Sequence, residues 1–363
     1  MKISRGWRIA ILILKIAVLY TFSANAQDAA SGETIKVDTR LVSVPVIVSD
    51  RNGRYVPNLT AADFSVFQDS KLQNIEFFAA TEEPLTIALL IDTSQSTRGV
   101  LGDIKDSAVS FIKLLTPKDR AMIVSFDYDT HILSGLTADQ DQLKKAIKSA
   151  EIPDREYGTL LRDATYETIT RSFAGIKGRK AIILLTDGKD AGSRIASGEL
   201  LYRLQETDTL VYPIMFTTDE RRAMMRQVLR RGDIFGGGFP GGRRGGGRFP
   251  GGGRFPGGGR NGGGFPGGRD DSRRRERIER ENEEAKEFLQ SLADTTAGRF
   301  YESKDGKLKK LFASIVEELR FQYRLGFYPP DESVDKQLHE IKVRVVRPDT
   351  VVRSRSGYRV TTP

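Results

Sequence analysis

The chain has 363 residues, enough for two modest domains or for one large domain with extensions. Hydrophobic residues at 39% and charged residues at 29% suit a soluble protein with a packed core, and the absence of cysteine excludes disulfides, thiolate metal sites, a cysteine nucleophile and a lipid-modified N-terminal cysteine. The net charge of +9 is concentrated: residues 221–280 contribute +11 and the first 26 residues +4, which leaves the remainder mildly acidic at −6.

The N-terminus reads as a signal peptide. Lys2, Arg5 and Arg8 precede residues 9–22, which are apolar apart from Lys15, and Ala24-Asn25-Ala26 supplies small residues for cleavage before Gln27. An uncleaved anchor is the alternative, but an apolar run of about 14 residues is short of the roughly 20 needed to span a bilayer. The expectation is an exported protein, periplasmic or secreted, with no transmembrane helix after cleavage.

Residues 34–80 form an N-terminal β-rich segment. Residues 34–49 are rich in Val and Ile and predict strand, and Asp50-Arg51-Asn52-Gly53 is a hairpin turn signal. Residues 64–67 and 75–78 predict two further strands around a turn at 69–71. A segment this short is marginal on its own.

From Leu85 the pattern changes. Residues 85–91 are continuously apolar, as a strand buried on both faces would be. A helix follows, with Leu101, Ile104, Ala108, Phe111, Ile112 and Leu115 on one face. Residues 121–126, 181–185 and 210–216 predict more buried strands, 131–133 and 299–301 short ones, and 143–150, 161–173 and 308–323 helices, the last with a stripe of Leu311, Ile315, Leu319 and Tyr323. Strands alternating with helices imply an α/β fold with a doubly wound, mainly parallel sheet.

Residues 236–268 do not fit this pattern. They hold 19 of the 36 glycines, with Phe-Pro repeated among Gly and Arg, a composition that cannot bury enough surface to order itself. Three roles are open: a tolerated disordered insertion, a contact tract for anionic surfaces or proteins, or a nucleic-acid binder, which export disfavours. Helix-favouring charged stretches flank the tract at 219–231 and 273–292. Beyond it, residues 323–327, 340–346, 351–353 and 358–360 return to strands. The two β-rich flanks, 34–80 and 323–363, are therefore expected to pack as one small sandwich beside the α/β unit.

Asp92-Thr93-Ser94-Gln95-Ser96 follows the first buried strand directly. In a parallel sheet, loops at the carboxyl ends of the strands form the binding crevice. An Asp-x-Ser-x-Ser there aims a carboxylate and two hydroxyls at one spot, hard-oxygen chemistry suited to magnesium or manganese. Asp and Ser in that position equally suit a helix N-cap, and the motif alone leaves both readings open. Thr159, in a loop before a helix, and Asp187, after the strand at 181–185, are expected at the same edge of the sheet. Asp127 and Asp129, after the second strand, read as solvated loop carboxylates.

The order strand-Asp-x-Ser-x-Ser, Gly-Thr before a helix, then strand-Thr-Asp-Gly resembles the metal-ion-dependent adhesion site of von Willebrand factor A (VWA) domains. The resemblance covers residues 84–325, interrupted by an insertion at 218–282, and the flanks resemble those of exported bacterial VWA-related proteins in Leu59-Thr60-Ala61-Ala62-Asp63-Phe64, Tyr323-Arg324-Leu325-Gly326-Phe327-Tyr328 and Arg355-Ser356-Gly357-Tyr358. It implies that Asp92, Ser94, Ser96, Thr159 and Asp187 bind magnesium or manganese, and that an acidic side chain of a protein partner completes the site. The familiar Gly-Gly-Thr is Tyr-Gly-Thr here. A structural envelope component using the fold as a scaffold, and a polyanion binder working through the Arg/Gly tract, are the alternatives. No small-molecule substrate is expected. His131 and His339 fall in different pieces and Ser94 has no evident base, so the protein is expected not to be an enzyme.

Overall fold

The computed structural model describes residues 41–80, 83–154, 158–216, 268–303, 307–330 and 337–360. The leader-like segment, the charged stretch 219–231 and the Gly/Arg/Phe tract up to residue 267 lie outside them.

Four short strands come first: β1 (Val42–Asp50), β2 (Phe64–Gln68), β3 (Lys71–Gln73) and β4 (Phe77–Ala79). The turn at Asp69-Ser70 has two left-handed residues, φ 48° and 67°, so the chain reverses within two residues and β2 pairs with Lys71–Gln73. The expected partner, residues 75–78, is corrected: Phe77–Ala79 pairs in a different sheet, with β11 (Tyr323–Phe327).

The α/β unit runs through β5 (Leu85–Asp92), α1 (Leu101–Ile112), β6 (Arg120–Phe126), β7 (Thr130–Thr137), α2 (Gln140–Ser149) and α3 (Leu161–Glu167), which a π-turn over Thr168–Ser172 extends. It continues with β8 (Arg179–Thr186), α4 (Ser197–Gln205), β9 (Leu210–Phe216), α5 (Gly268–Thr296), β10 (Tyr301–Ser303) and α6 (Leu308–Arg320). The strands lie in the order β10-β9-β8-β5-β6-β7, all parallel except β7, which runs antiparallel to β6. Every residue of β5 and of β8 is buried. Their side chains alternate between two cores. Ile87, Leu89, Ile91, Ile183 and Leu185 pack with α1 and α6, whereas Ala88, Leu90, Ile182 and Leu184 pack with α3, α4 and α5. Each such Leu or Ile contributes about 1.5–3 kcal/mol by leaving water. That alternation makes the sheet a fixed platform for its end loops.

Three elements differ from expectation. The edge strand β7 has eight residues, not three; Ile132 is 62% exposed there, so an edge facing water hid its apolar pattern. Helix α4 has no counterpart among the predicted elements, because only Leu200 and Leu204 of it are buried. Helix α6 ends at Arg320, and Tyr323 opens β11 with its ring buried in the sandwich core.

The last strands are β12 (His339–Val345), β13 (Thr350–Ser354) and β14 (Gly357–Tyr358). The flanks interleave: β13-β1-β11-β4 forms one antiparallel sheet and β14-β12-β2-β3 the other, and each sheet takes strands from both ends of the chain. Val44, Val46, Val48, Phe64, Val66, Leu325, Phe327, Ile341 and Tyr358 share one core between them. This is the small sandwich expected of the flanks. It docks on the amino-end edge of the parallel sheet. Arg179, opening β8, donates to Ala80 O at 2.9 Å, and buried Arg355 donates to Thr207 O at 2.9 Å and Gln205 O at 2.5 Å.

Candidate functional site

β5 and β8 are neighbours in the sheet, but β5 is followed by β6 on one side and β8 by β9 on the other. Such a switch point opens a crevice at the carboxyl ends of the two strands. Asp92 is the last residue of β5, and Asp187 comes directly after Thr186, the last residue of β8. Both carboxylates are buried, Asp92 completely and Asp187 to 3% exposure. The two sequence-predicted acids are thus brought together by the topology.

Asp92 is held by neutral donors. Its Oδ1 accepts from the Ser94 N–H at 2.9 Å and its Oδ2 from the Thr186 hydroxyl at 2.7 Å. Thr97 donates back to the carbonyls of Asp92 and Ser94, each at 2.9 Å, and so curls the loop into a single 3-10 turn, Gln95–Thr97. Burial, and after it the charge of Asp187, pushes the Asp92 carboxyl up to about 7. Ser94 stands at the N-cap position of that turn but makes no side-chain cap; its hydroxyl lies 2.9 Å from that of Ser96. Ser94 therefore does not act as a side-chain N-cap.

Thr159 reaches the same edge through its backbone. It exchanges hydrogen bonds with Ala191, N to O at 3.3 Å and O to N at 3.0 Å, and the next residue, Leu160, donates to Asp127 O at 2.7 Å. Thr159 thus sits between the loops that follow β6 and β8. Asp163 and Asp190 lock this arrangement: Asp163 accepts from Ile195 N at 2.9 Å, and Asp190 accepts from Arg162 N at 2.9 Å and the Ser193 hydroxyl at 2.7 Å.

Two glycines are required here. Gly158 has φ +118°, and a Cβ on it would meet Ala191 O at 2.1 Å. Gly158→Ala should therefore lower stability by about 3 kcal/mol and displace Thr159; a melting temperature equal to the wild type's would contradict the loop geometry. Gly188 has φ +83°, and a Cβ would lie 2.9 Å from Ala285 Cβ on α5, so the Thr-Asp-Gly turn is also where that helix seats.

Asp127 departs from the expected solvated role. It is 4% exposed and braces the site from below: Oδ2 accepts from the Thr93 hydroxyl at 3.0 Å and Oδ1 from Asp129 N at 3.2 Å, with His131 Nε2 at 3.4 Å. Asp129 is exposed, as expected. Thr97, Thr186 and Asp127 are supports that sequence reasoning missed or misjudged, although the position of Asp127 at the end of a buried strand, like that of Asp92, was a usable signal.

The donor set fits a small divalent cation. It consists of two buried carboxylates whose mutual repulsion such a cation would relieve, and hydroxyls that favour hard ions. Among the described residues no three His, Cys, Asp or Glu side chains group as a metal cluster. A cation here would therefore depend on Ser94, Ser96 and Thr159 for the rest of its coordination.

These features define a VWA-type α/β fold, and residues 86–234 match the model of the von Willebrand factor type A domain. No curated protein sequence matches the chain. Among solved structures it is similar to the von Willebrand factor domain of the type V pili tip protein of Porphyromonas gingivalis, at 26% identity and TM-score 0.27, over 30% of this chain and 39% of that one. It is similar to mussel byssus proximal thread matrix protein 1, solved with a zinc-occupied MIDAS (metal-ion-dependent adhesion site) motif, at 15% identity and TM-score 0.44, over 68% and 48%. It is also similar to an aerotolerance-related membrane protein of Bacteroides fragilis, at 16% identity and TM-score 0.39, over 65% and 98%. The chain thus spans less than half of the pilus and mussel structures. No helix among the described residues is long and apolar enough to cross a membrane.

Proposed function

We propose that the protein is an exported binding module that takes a divalent cation, magnesium or manganese, at Asp92, Ser94, Ser96, Thr159 and Asp187, and through it an acidic side chain of a partner protein. The observation that carries this reading is the hydroxyl pair Ser94–Ser96, 2.9 Å apart, beside the buried carboxylates of Asp92 and Asp187. The chain's own groups fix the position of those oxygens. The bound cation would supply positive charge at the mouth of the crevice. Access by a partner is supported by the sandwich docking at the other end of the strands, through Ala80, Thr207 and Gln205.

A binding role is favoured over a catalytic one. His131 Nε2 lies 3.4 Å from Asp127 and His339 Nδ1 lies 2.8 Å from Asp69 in the sandwich, so each imidazole is engaged by a carboxylate other than the candidate ligands. Export rests on the leader pattern of the first 26 residues, and N-terminal sequencing of the mature protein should begin at Gln27.

The direct test is thermal melting with magnesium or manganese, before and after EDTA. At a metal concentration 100 times Kd, the metal should stabilise the fold by about 2.7 kcal/mol, reversed by the chelator. A melting curve indifferent to both ions would leave the envelope-scaffold reading standing in place of this one.

A further inference from the structure

We propose that Arg98 is a second anion-binding point of this site, so that the ligand it takes is an acidic peptide segment presenting two carboxylates, one to the cation-binding oxygens and one to this guanidinium. The inference rests on the reading above and sharpens it from an acidic side chain to a diacidic ligand.

Among the described residues three arginines lie on or beside the loops that carry the candidate ligands, and they differ in what holds them. Arg162 Nη2 pairs with Asp190 Oδ1 at 3.2 Å and Arg194 Nε with Asp163 Oδ2 at 3.4 Å, so both serve the bracing of the Thr159 and Asp187 loops. Arg98 is exposed, follows the 3-10 turn that carries Ser96, and is held by an uncharged group. Its Nε and Nη2 both donate to Gln95 Oε1, at 3.0 and 2.8 Å. Among the described residues no carboxylate neutralises it.

The holder is itself anchored. Gln95 stands between Ser94 and Ser96 in sequence, and its Nε2 donates to Pro153 O, in the stretch that leads towards Thr159. The Gln95 amide thus ties two ligand-bearing loops together and clamps the guanidinium to the tie. An exposed arginine ordinarily loses much side-chain freedom on binding; one already fixed loses less. Of the five N–H groups of a guanidinium, two are used by Gln95, and the others remain to receive a carboxylate. The result is a fixed positive charge, with no carboxylate partner among the described residues, on the same short loop as two of the candidate cation ligands. That arrangement discriminates a diacid from a monoacid, which a cation alone does not.

The test uses the full chain loaded with manganese and two blocked tripeptides, one with a single aspartate and one with two, and reads displacement of manganese-bound water by proton relaxation. In the wild type the diacidic peptide should bind about tenfold more tightly. In Arg98→Gln the ratio should fall to about two, the statistical value for two equivalent carboxylates, with manganese affinity unchanged; Arg98→Lys should recover part of the preference. A wild-type ratio near two, or a tenfold ratio that persists in Arg98→Gln, overturns the proposal while leaving the metal site intact. Loss of manganese affinity in Arg98→Gln also overturns it, by making Arg98 a support of the loop. A wild type that binds no manganese overturns both this inference and the reading beneath it.

Discussion

Replacing Glu318 by alanine should cost about 3–5 kcal/mol and lower the melting temperature by about 10 °C. Glu318 lies on α6 and is fully buried. It accepts from the Tyr212 hydroxyl at 2.9 Å and the Tyr55 hydroxyl at 3.2 Å, receives a short charged contact from Arg353, and has Arg299 Nη2 at 3.5 Å. Tyr55 and Arg353 belong to the sandwich flanks, and Tyr212 and Arg299 to the α/β unit, so one carboxylate ties the two parts together. Truncating it leaves the half-buried Arg353 guanidinium and the two tyrosine hydroxyls without their acceptor, and that loss is the main cost. Changing both partners, Glu318→Leu with Arg353→Met, should recover most of the stability, because a buried pair replaced by apolar groups of similar volume is often neutral. A double variant as unstable as the sum of the singles would show that packing, not charge, is what Glu318 supplies.

The same cluster predicts an alkaline limit. Burial, and then the charge of Glu318, pushes Tyr301 up to about 12 and Tyr212 well above its ordinary value. A folded-state pKa raised in this way means that the folded form keeps a proton the unfolded form releases near pH 10. The stability from Tyr301 is therefore complete below about pH 10 and is lost as the pH rises through about 12, and Tyr212, raised for the same reasons, acts in the same direction. Chemical denaturation at pH 9 and pH 11 should show the lower midpoint at pH 11.

Much of the architecture was legible because it is local in sequence. β5, β8 and β9 read as buried strands from unbroken apolar runs, and Asp92, Thr159 and Asp187 could be placed at one edge because each lies next to a strand or helix end. What was not legible depends on partners far along the chain. Asp127 looks like a solvated loop acid until Thr93, 34 residues earlier, turns its hydroxyl onto it. Glu318 looks like one more charge on an amphipathic helix, and its partners Tyr55 and Tyr212 lie 263 and 106 residues away. The need for glycine at Gly188 is set by Ala285, which arrives only after the long insertion. Helix α4 escaped because two buried leucines are too few to declare a face, although a right-handed crossover between β8 and β9 requires an element in that place.

The variant Asp92→Asn should abolish the metal response and invert the order of stability between wild type and variant as metal is added. Without metal, wild-type Asp92 is a buried carboxyl close to the charge of Asp187, and burial and that charge both disfavour its ionised form. Asparagine has nearly the same shape and retains an acceptor for the Ser94 N–H, while the repulsion disappears. The variant should therefore melt at or above the wild-type temperature in EDTA. Saturating magnesium should then raise the wild type by about 5–10 °C, following a mass-action gain of about 2.7 kcal/mol at 100 times Kd, and leave the variant where it was. The two melting temperatures should cross as metal is added. The crossing separates a ligand from a structural acid: a carboxylate kept only for its hydrogen bonds to Ser94 and Thr186 would make the variant less stable in EDTA, with no crossing at any magnesium concentration. A variant that shifts with magnesium as much as the wild type would remove Asp92 from the site.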